Sequence, residues 1–109
     1  ALLAEHPETT AIMALNDPPA HGVMAALESA GRTGDVTVYG VDGVPEIKEL
    51  IASGHHIVTA AQSPRSIGRD AATAAYDILS GNIPDRHIVL PTRLLTSDNI
   101  GEVDVNAWE

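Results

Sequence analysis

Three side chains able to hold a polar ligand stand at equivalent places in the first 62 residues of this 109-residue chain. Asn16 follows the run Ala-Ile-Met-Ala-Leu, Asp42 follows Val-Thr-Val-Tyr-Gly-Val, and Gln62 follows Ile-Val-Thr-Ala-Ala. Carboxamides offer donors and acceptors, whereas a carboxylate only accepts. That mixture suits the hydroxyls of a polyhydroxylated molecule better than a phosphate or an apolar group. Asp42 lies in Gly-Val-Asp-Gly, where glycines permit close backbone approach. Two readings stay open for it: a turn or cap carboxylate, or an acceptor for two ligand hydroxyls, with charge-assisted bonds about twice as strong as neutral ones. Asn16 serves equally as a turn-former, and Asp17 beside it reads as a helix cap. Gln has no special turn or cap role, so the placement of Gln62 points to a contact.

Other chemistries find no foothold. There is no cysteine, which removes disulfides, thiolate metal sites and cysteine nucleophiles. His6, His21, His55, His56 and His87 show no metal-ligand spacing. The adjacent pair His55-His56 would point to opposite faces of a strand, and all five are read as surface residues with no metal. No Gly-x-Ser-x-Gly elbow, Gly-x-Gly-x-x-Gly fingerprint or phosphate loop occurs. A phospho-acceptor receiver domain also gathers carboxylates at strand ends, but it needs a lysine at a later strand end. The only lysine here is Lys48, inside a helical segment. The expectation is a binding protein without a cofactor, not an enzyme.

The elements that must position the three residues alternate regularly. An opening helical piece stops near His6, before Pro7. A strand over Thr9 to Leu15 leads into Asp17-Pro18, a cap followed by proline at the first helical position. The helix continues to about Ala30, with Val23, Met24 and Leu27 inward, and Gly31 closes it. A strand over Val36 to Val41 is followed by a helix from Pro45 to Ser53 with Ile47, Leu50 and Ile51 on one side. A third strand, Ile57 to Ala61, precedes Ser63-Pro64 and a helix to about Ser80. An extended segment from His87 to Thr96 is interrupted by Pro91, which implies a sheet edge or a crossing point. The tail from Ser97 shows no period. This alternation means βαβ units, a parallel sheet and right-handed crossovers, so the fold class is α/β. Ligands of open α/β sheets bind outside the carboxyl ends of the strands, where all three polar residues would emerge.

Composition narrows the partners. Six Lys and Arg against fifteen Asp and Glu give a formal net charge of −9, which argues against nucleic acid and anionic membrane surfaces. Aromatics are reduced to Tyr39, Tyr76 and Trp108. No apolar run approaches the roughly 20 residues of a membrane span. The chain opens Ala-Leu-Leu-Ala-Glu-His-Pro without Met or a signal peptide, and reads as a fragment of a longer polypeptide.

The motifs fit a family. Ala14-Leu-Asn-Asp, Val38-Tyr-Gly-Val-Asp-Gly and Thr59-Ala-Ala-Gln-Ser-Pro, in this order, resemble the C-terminal portion of type I periplasmic sugar-binding proteins of ABC importers, in particular the ribose-binding branch. The resemblance continues through Ile78-Leu-Ser-Gly and through Ile88-Val-Leu-Pro-Thr-Arg-Leu-Leu-Thr-Ser-Asp-Asn-Ile, to about Ile100. It implies an incomplete three-layer, Rossmann-like lobe in which Asn16, Asp42 and Gln62 hydrogen-bond sugar hydroxyls. It also implies that residues 1–62 belong to the C-terminal lobe, that 63–90 cross to the other lobe through a hinge at Ser63 and Pro64, and that 91–109 return at Pro91. Stripped of its partners, the 63–90 segment would collapse onto this lobe or pair with a second chain as a homodimer. The implied partners are a small-molecule sugar and membrane permease subunits, and the implied location is periplasmic or extracellular. LacI-type transcription regulators share the strand-end Asn and Asp, so an effector-binding domain is the alternative. The Ala-Gln-Ser-Pro junction and the Leu-Leu-Thr-Ser-Asp-Asn ending resemble the transport proteins more.

Overall fold

The computed structural model describes residues 2–108. Four strands form one sheet in the order β1 (Ala11–Met13), β2 (Thr37–Asp42), β3 (Ile57–Ala61) and β4 (Arg93–Leu95). β1, β2 and β3 are parallel, with Met13 opposite Tyr39 and Asp42 opposite Ala61. β4 is antiparallel to β3, with Leu95 opposite Thr59 and Arg93 opposite Ala61. The sheet is therefore mostly parallel rather than wholly so. After the long excursion that follows β3 the chain re-enters at the same carboxyl edge it left, with Arg93, the first residue of β4, opposite Ala61, the last of β3. Pro91 lies outside β4, consistent with its inability to donate to a ladder.

A short α1 (Leu2–Glu5) opens the described chain, and α2 (Asp17–Ser29), α3 (Pro45–Ala52) and α4 (Pro64–Leu79) follow β1, β2 and β3. Each of the three longer helices carries proline in its first turn, where the missing N–H costs nothing. α2 ends as the sequence dictates: the Arg32 N–H reaches Leu27 O at 2.9 Å and the Gly31 N–H reaches Glu28 O at 3.0 Å, around Gly31 at φ 66°. This double bond is the Schellman stop.

Two successive right-handed crossovers in one direction place α2 and α3 on the same face of the sheet. The core lies there. Ala20, Met24 and Leu27 of α2 and Ile47 and Ile51 of α3 pack with Val36, Val38, Ile57, Leu95 and Ile100. Full burial of each large side chain such as Leu27 or Ile51 stabilises by about 1.5–3 kcal/mol. The opposite face carries Met13 and Leu94 exposed at 83% and 57%, so the described residues supply a sheet and one helical layer of the three-layer lobe.

The tail without period is nonetheless packed. Residues Ile100–Glu102 form a 3-10 turn, and Ile100, Val103 and Val105 lie against the core. The Lys48 ammonium, 2% exposed, donates to Ala107 O at 2.7 Å and Asp104 O at 3.5 Å, so this lysine is a tail clamp. In contrast, α4 buries no residue. It does not collapse onto the sheet, and the molecule measures 59 × 30 × 17 Å with a radius of gyration of 17.7 Å, against about 13 Å for a compact chain near this length.

Candidate functional site at the carboxyl edge of the sheet

Because β1, β2 and β3 run in parallel, their C-terminal ends share one edge. Asn16 follows β1 as the N-cap position of α2, with extended backbone and no side-chain bond to its own helix. Asp42 is the last residue of β2. Gln62 follows β3, and its N–H donates to Asp42 O at 3.0 Å.

The side chains meet. Asn16 Nδ2 donates to Asp42 Oδ2 at 3.2 Å, and Gln62 Nε2 donates to Asp42 Oδ1 at 2.6 Å. One carboxylate is thus bridged by two carboxamides from neighbouring strand ends. Each Asp42 oxygen keeps a free lone-pair direction, and each amide keeps its carbonyl oxygen and a second N–H. The group therefore offers acceptors and donors to incoming hydroxyls while presenting one negative charge. Gln62 is exposed, and Asn16 and Asp42 are half-buried. A cation, Arg93, stands opposite Ala61 at the same edge, and its guanidinium is engaged with the Glu102 carboxylate.

Asp42 is held in an unusual backbone conformation, φ 123°. Such a residue costs of order 1–3 kcal/mol and persists only where its surroundings over-determine it. The surroundings are supplied by Asp17, and here the cap reading fails. Asp17 is the first residue of α2, entirely buried, and makes no cap bond. Its Oδ2 accepts the Gly43 N–H at 2.7 Å and the Val44 N–H at 2.9 Å, while Oδ1 accepts the Thr59 hydroxyl at 2.7 Å. The Gly43 N–H also lies 3.2 Å from Thr59 Oγ1.

The two glycines flanking Val41-Asp42 are explained by this bracing. A Cβ on Gly40 would collide with Asp17 Oδ1, and one on Gly43 would lie 2.8 Å from Ala61 Cα. The motif Gly-Val-Asp-Gly therefore makes room for a carboxylate on one side and a neighbouring strand on the other.

The remaining candidates form no part of this bridge. Ser63 is the N-cap position of α4 without a side-chain cap bond, Pro64 is the first residue of that helix, and Pro91 is exposed in the segment leading to β4. His55 Nδ1 pairs with Leu50 O at 3.2 Å, and His6 Nδ1 with Glu8 at 3.3 Å. Among the described residues no group of three or more His, Asp and Glu side chains could hold a metal ion.

Residues 1–83 match a family described as periplasmic binding protein domain. The chain is 39% identical over 80 residues to the ribose import binding protein RbsB of Escherichia coli (strain K12), covering 73% of this chain and 27% of that protein. It is 42% identical over 67 residues to the D-allose-binding periplasmic protein of the same organism, covering 62% of this chain and 22% of that protein. Among solved structures, an ABC transporter solute binding protein from Agrobacterium vitis with bound allitol superposes with a TM-score of 0.85 at 33% identity, over 93% of this chain and 36% of that one. The Caulobacter myo-inositol binding protein bound to myo-inositol gives a TM-score of 0.84 at 30% identity, over 96% of this chain and 36% of that one. The chain thus spans about a quarter to a third of the length of such relatives.

Proposed function

Because this chain belongs to the periplasmic binding protein domain family, we propose that it forms part of a solute-binding protein that captures a neutral monosaccharide or polyol for an ABC-type importer. The family consists of substrate-binding transport proteins rather than enzymes, and the relatives are named for allose, ribose and myo-inositol or, in one case, hold bound allitol. One observation carries the reading to this chain: Asp42 is bridged by Asn16 and Gln62 at the open carboxyl edge of the sheet. Vicinal hydroxyls would each donate to Asp42 and exchange bonds with the amides, as the spare lone pairs and N–H groups allow.

Ligand contacts on this edge serve import through closure. In this mechanism the edge is one jaw, and a second lobe supplies the other. Residues 63–90 belong to that second lobe, entered at Ser63 and Pro64 and left at Pro91, which agrees with the unburied surface of α4. A ligand touching both jaws favours the closed state by its differential affinity for it. The closed form then docks on membrane permease subunits. The location is periplasmic or extracellular, in line with the relative named as a periplasmic protein. Among the described residues no helix is long and apolar enough to cross a membrane.

The test is titration calorimetry of the full polypeptide against D-ribose, D-allose, allitol and myo-inositol, with D-ribose 5-phosphate as an anionic control. Binding of at least one neutral compound at one site per chain is expected. Preference for the phosphate, or no binding of any neutral compound, would refute the reading.

A further inference from the structure

A buried carboxylate in this fold is neither paired with a cation nor used as a ligand contact. Asp17 has no exposed surface, yet it joins three elements. It sits directly after Asn16, its Oδ2 holds the Gly43 and Val44 N–H groups immediately after Asp42, and its Oδ1 holds Thr59, three residues before Gln62. Each member of the bridged trio is thus one to three residues from a bond that Asp17 makes. The adjoining Asp42 backbone is the one non-glycine residue at positive φ among the described residues. Left to itself it would relax toward a commoner conformation and turn its carboxylate away from both amides.

We infer that Asp17 is the positioning residue of the binding edge: its buried carboxylate locks Asp42 at φ 123° and thereby fixes the bridged Asn16–Asp42–Gln62 arrangement before any ligand arrives. The inference rests on the reading of that trio as the ligand contacts. Gly40 belongs to the device, because any side chain there would enter the space of Asp17 Oδ1. Thr59 completes it, by donating to Asp17 and facing the Gly43 N–H. Loss of the negative charge weakens the two backbone bonds, since charge-assisted bonds are about twice as strong as neutral ones. The binding edge then loses geometry rather than contacts.

The test uses Asp17→Asn, Thr59→Val and Thr59→Ser in the full polypeptide, with Asp42→Ala as reference. Calorimetry with the neutral sugar or polyol that the parent binds best reads affinity and active fraction separately. The side-chain NH2 resonances of Asn16 and Gln62 read the bridge without ligand. Asp17→Asn and Thr59→Val are expected to raise Kd about fivefold or more at an active fraction near one, and to shift both NH2 resonances. Thr59→Ser, which keeps the hydroxyl, is expected to restore both. Should Asp17→Asn fail to fold, the two Thr59 variants carry the comparison.

A lowered melting temperature with unchanged Kd and unchanged NH2 resonances would overturn the inference and leave Asp17 a purely structural group. If Asp42→Ala binds as the parent does while the resonances still move, the ligand-contact reading fails but the positioning of Asp42 by Asp17 stands.

Discussion

Gln62 and Asp42 are joined twice: the Gln62 N–H donates to the Asp42 carbonyl at 3.0 Å, and the Gln62 amide donates to the Asp42 carboxylate at 2.6 Å. The side chain therefore leaves Asp42 only by a rotation of its own, because the Gln62 backbone is held by its N–H bond to Asp42. Ser63 and Pro64 follow immediately and start α4, so the site and the departure of the chain from this sheet share one strand end.

Gln62→Ala is expected to weaken sugar binding about three- to tenfold in the full polypeptide, the effect of losing one neutral hydrogen-bonding group. Gln62 is exposed, so unfolding free energy should stay within about 0.5 kcal/mol of the parent. Calorimetry together with thermal melting checks both halves. A large loss of stability would mean that Gln62 braces the fold instead.

Gly40→Ala is expected to destabilise by about 1–3 kcal/mol, the range for overpacking, since the added methyl meets Asp17. Gly68→Ala, inside α4 with nothing within 4 Å of the added Cβ, should stabilise that helix by roughly 0.5–1 kcal/mol. In the 109-residue chain by itself, urea denaturation reads the first effect and helix content by circular dichroism the second, and equal effects would contradict the account of the glycines.

Lys48→Met retains the buried stem but removes the ammonium that holds Ala107 O and Asp104 O. The expected cost is about 1.5–3 kcal/mol, as for hydrogen bonds to a charged group. Cleavage of the chain after about residue 102 by a nonspecific protease should accelerate. An unaltered cleavage pattern would show that Ile100 and Val103 hold the tail without the lysine.

In the 109-residue chain by itself, α4 amides should exchange with solvent far faster than those of β2 and β3. A helix of 16 residues in which no residue is fully buried lies near the length at which isolated helices are marginal. Hydrogen exchange read by mass spectrometry checks this. Protection of α4 that rises with protein concentration would instead indicate that residues 63–90 pair between two copies.

Much of this arrangement is legible in the sequence because the relevant signals are local. Apolar runs ending on Asn16, Asp42 and Gln62, each followed by turn residues and a helix, place the trio at one sheet edge. Asp17 is misread for the same reason. Its neighbours Pro18 and Pro19 announce a helix start, whereas its real partners, Gly43 and Thr59, lie 26 and 42 residues away. Lys48 is equally opaque, since it meets carbonyls 56 and 59 residues later through backbone atoms that carry no side-chain signature. The antiparallel direction of β4 depends on where the chain travels between Ser63 and Pro91, which no local pattern encodes.

The most direct measurement is the affinity of the Asp42→Asn variant of the full polypeptide for the neutral sugar or polyol its parent binds, read by calorimetry. Removing the charge while keeping the shape should weaken binding by about 1.5–3 kcal/mol, a factor of roughly ten to a hundred and fifty, with folding retained. Affinity equal to that of the parent would remove Asp42 from the ligand contacts and contradict the central claim.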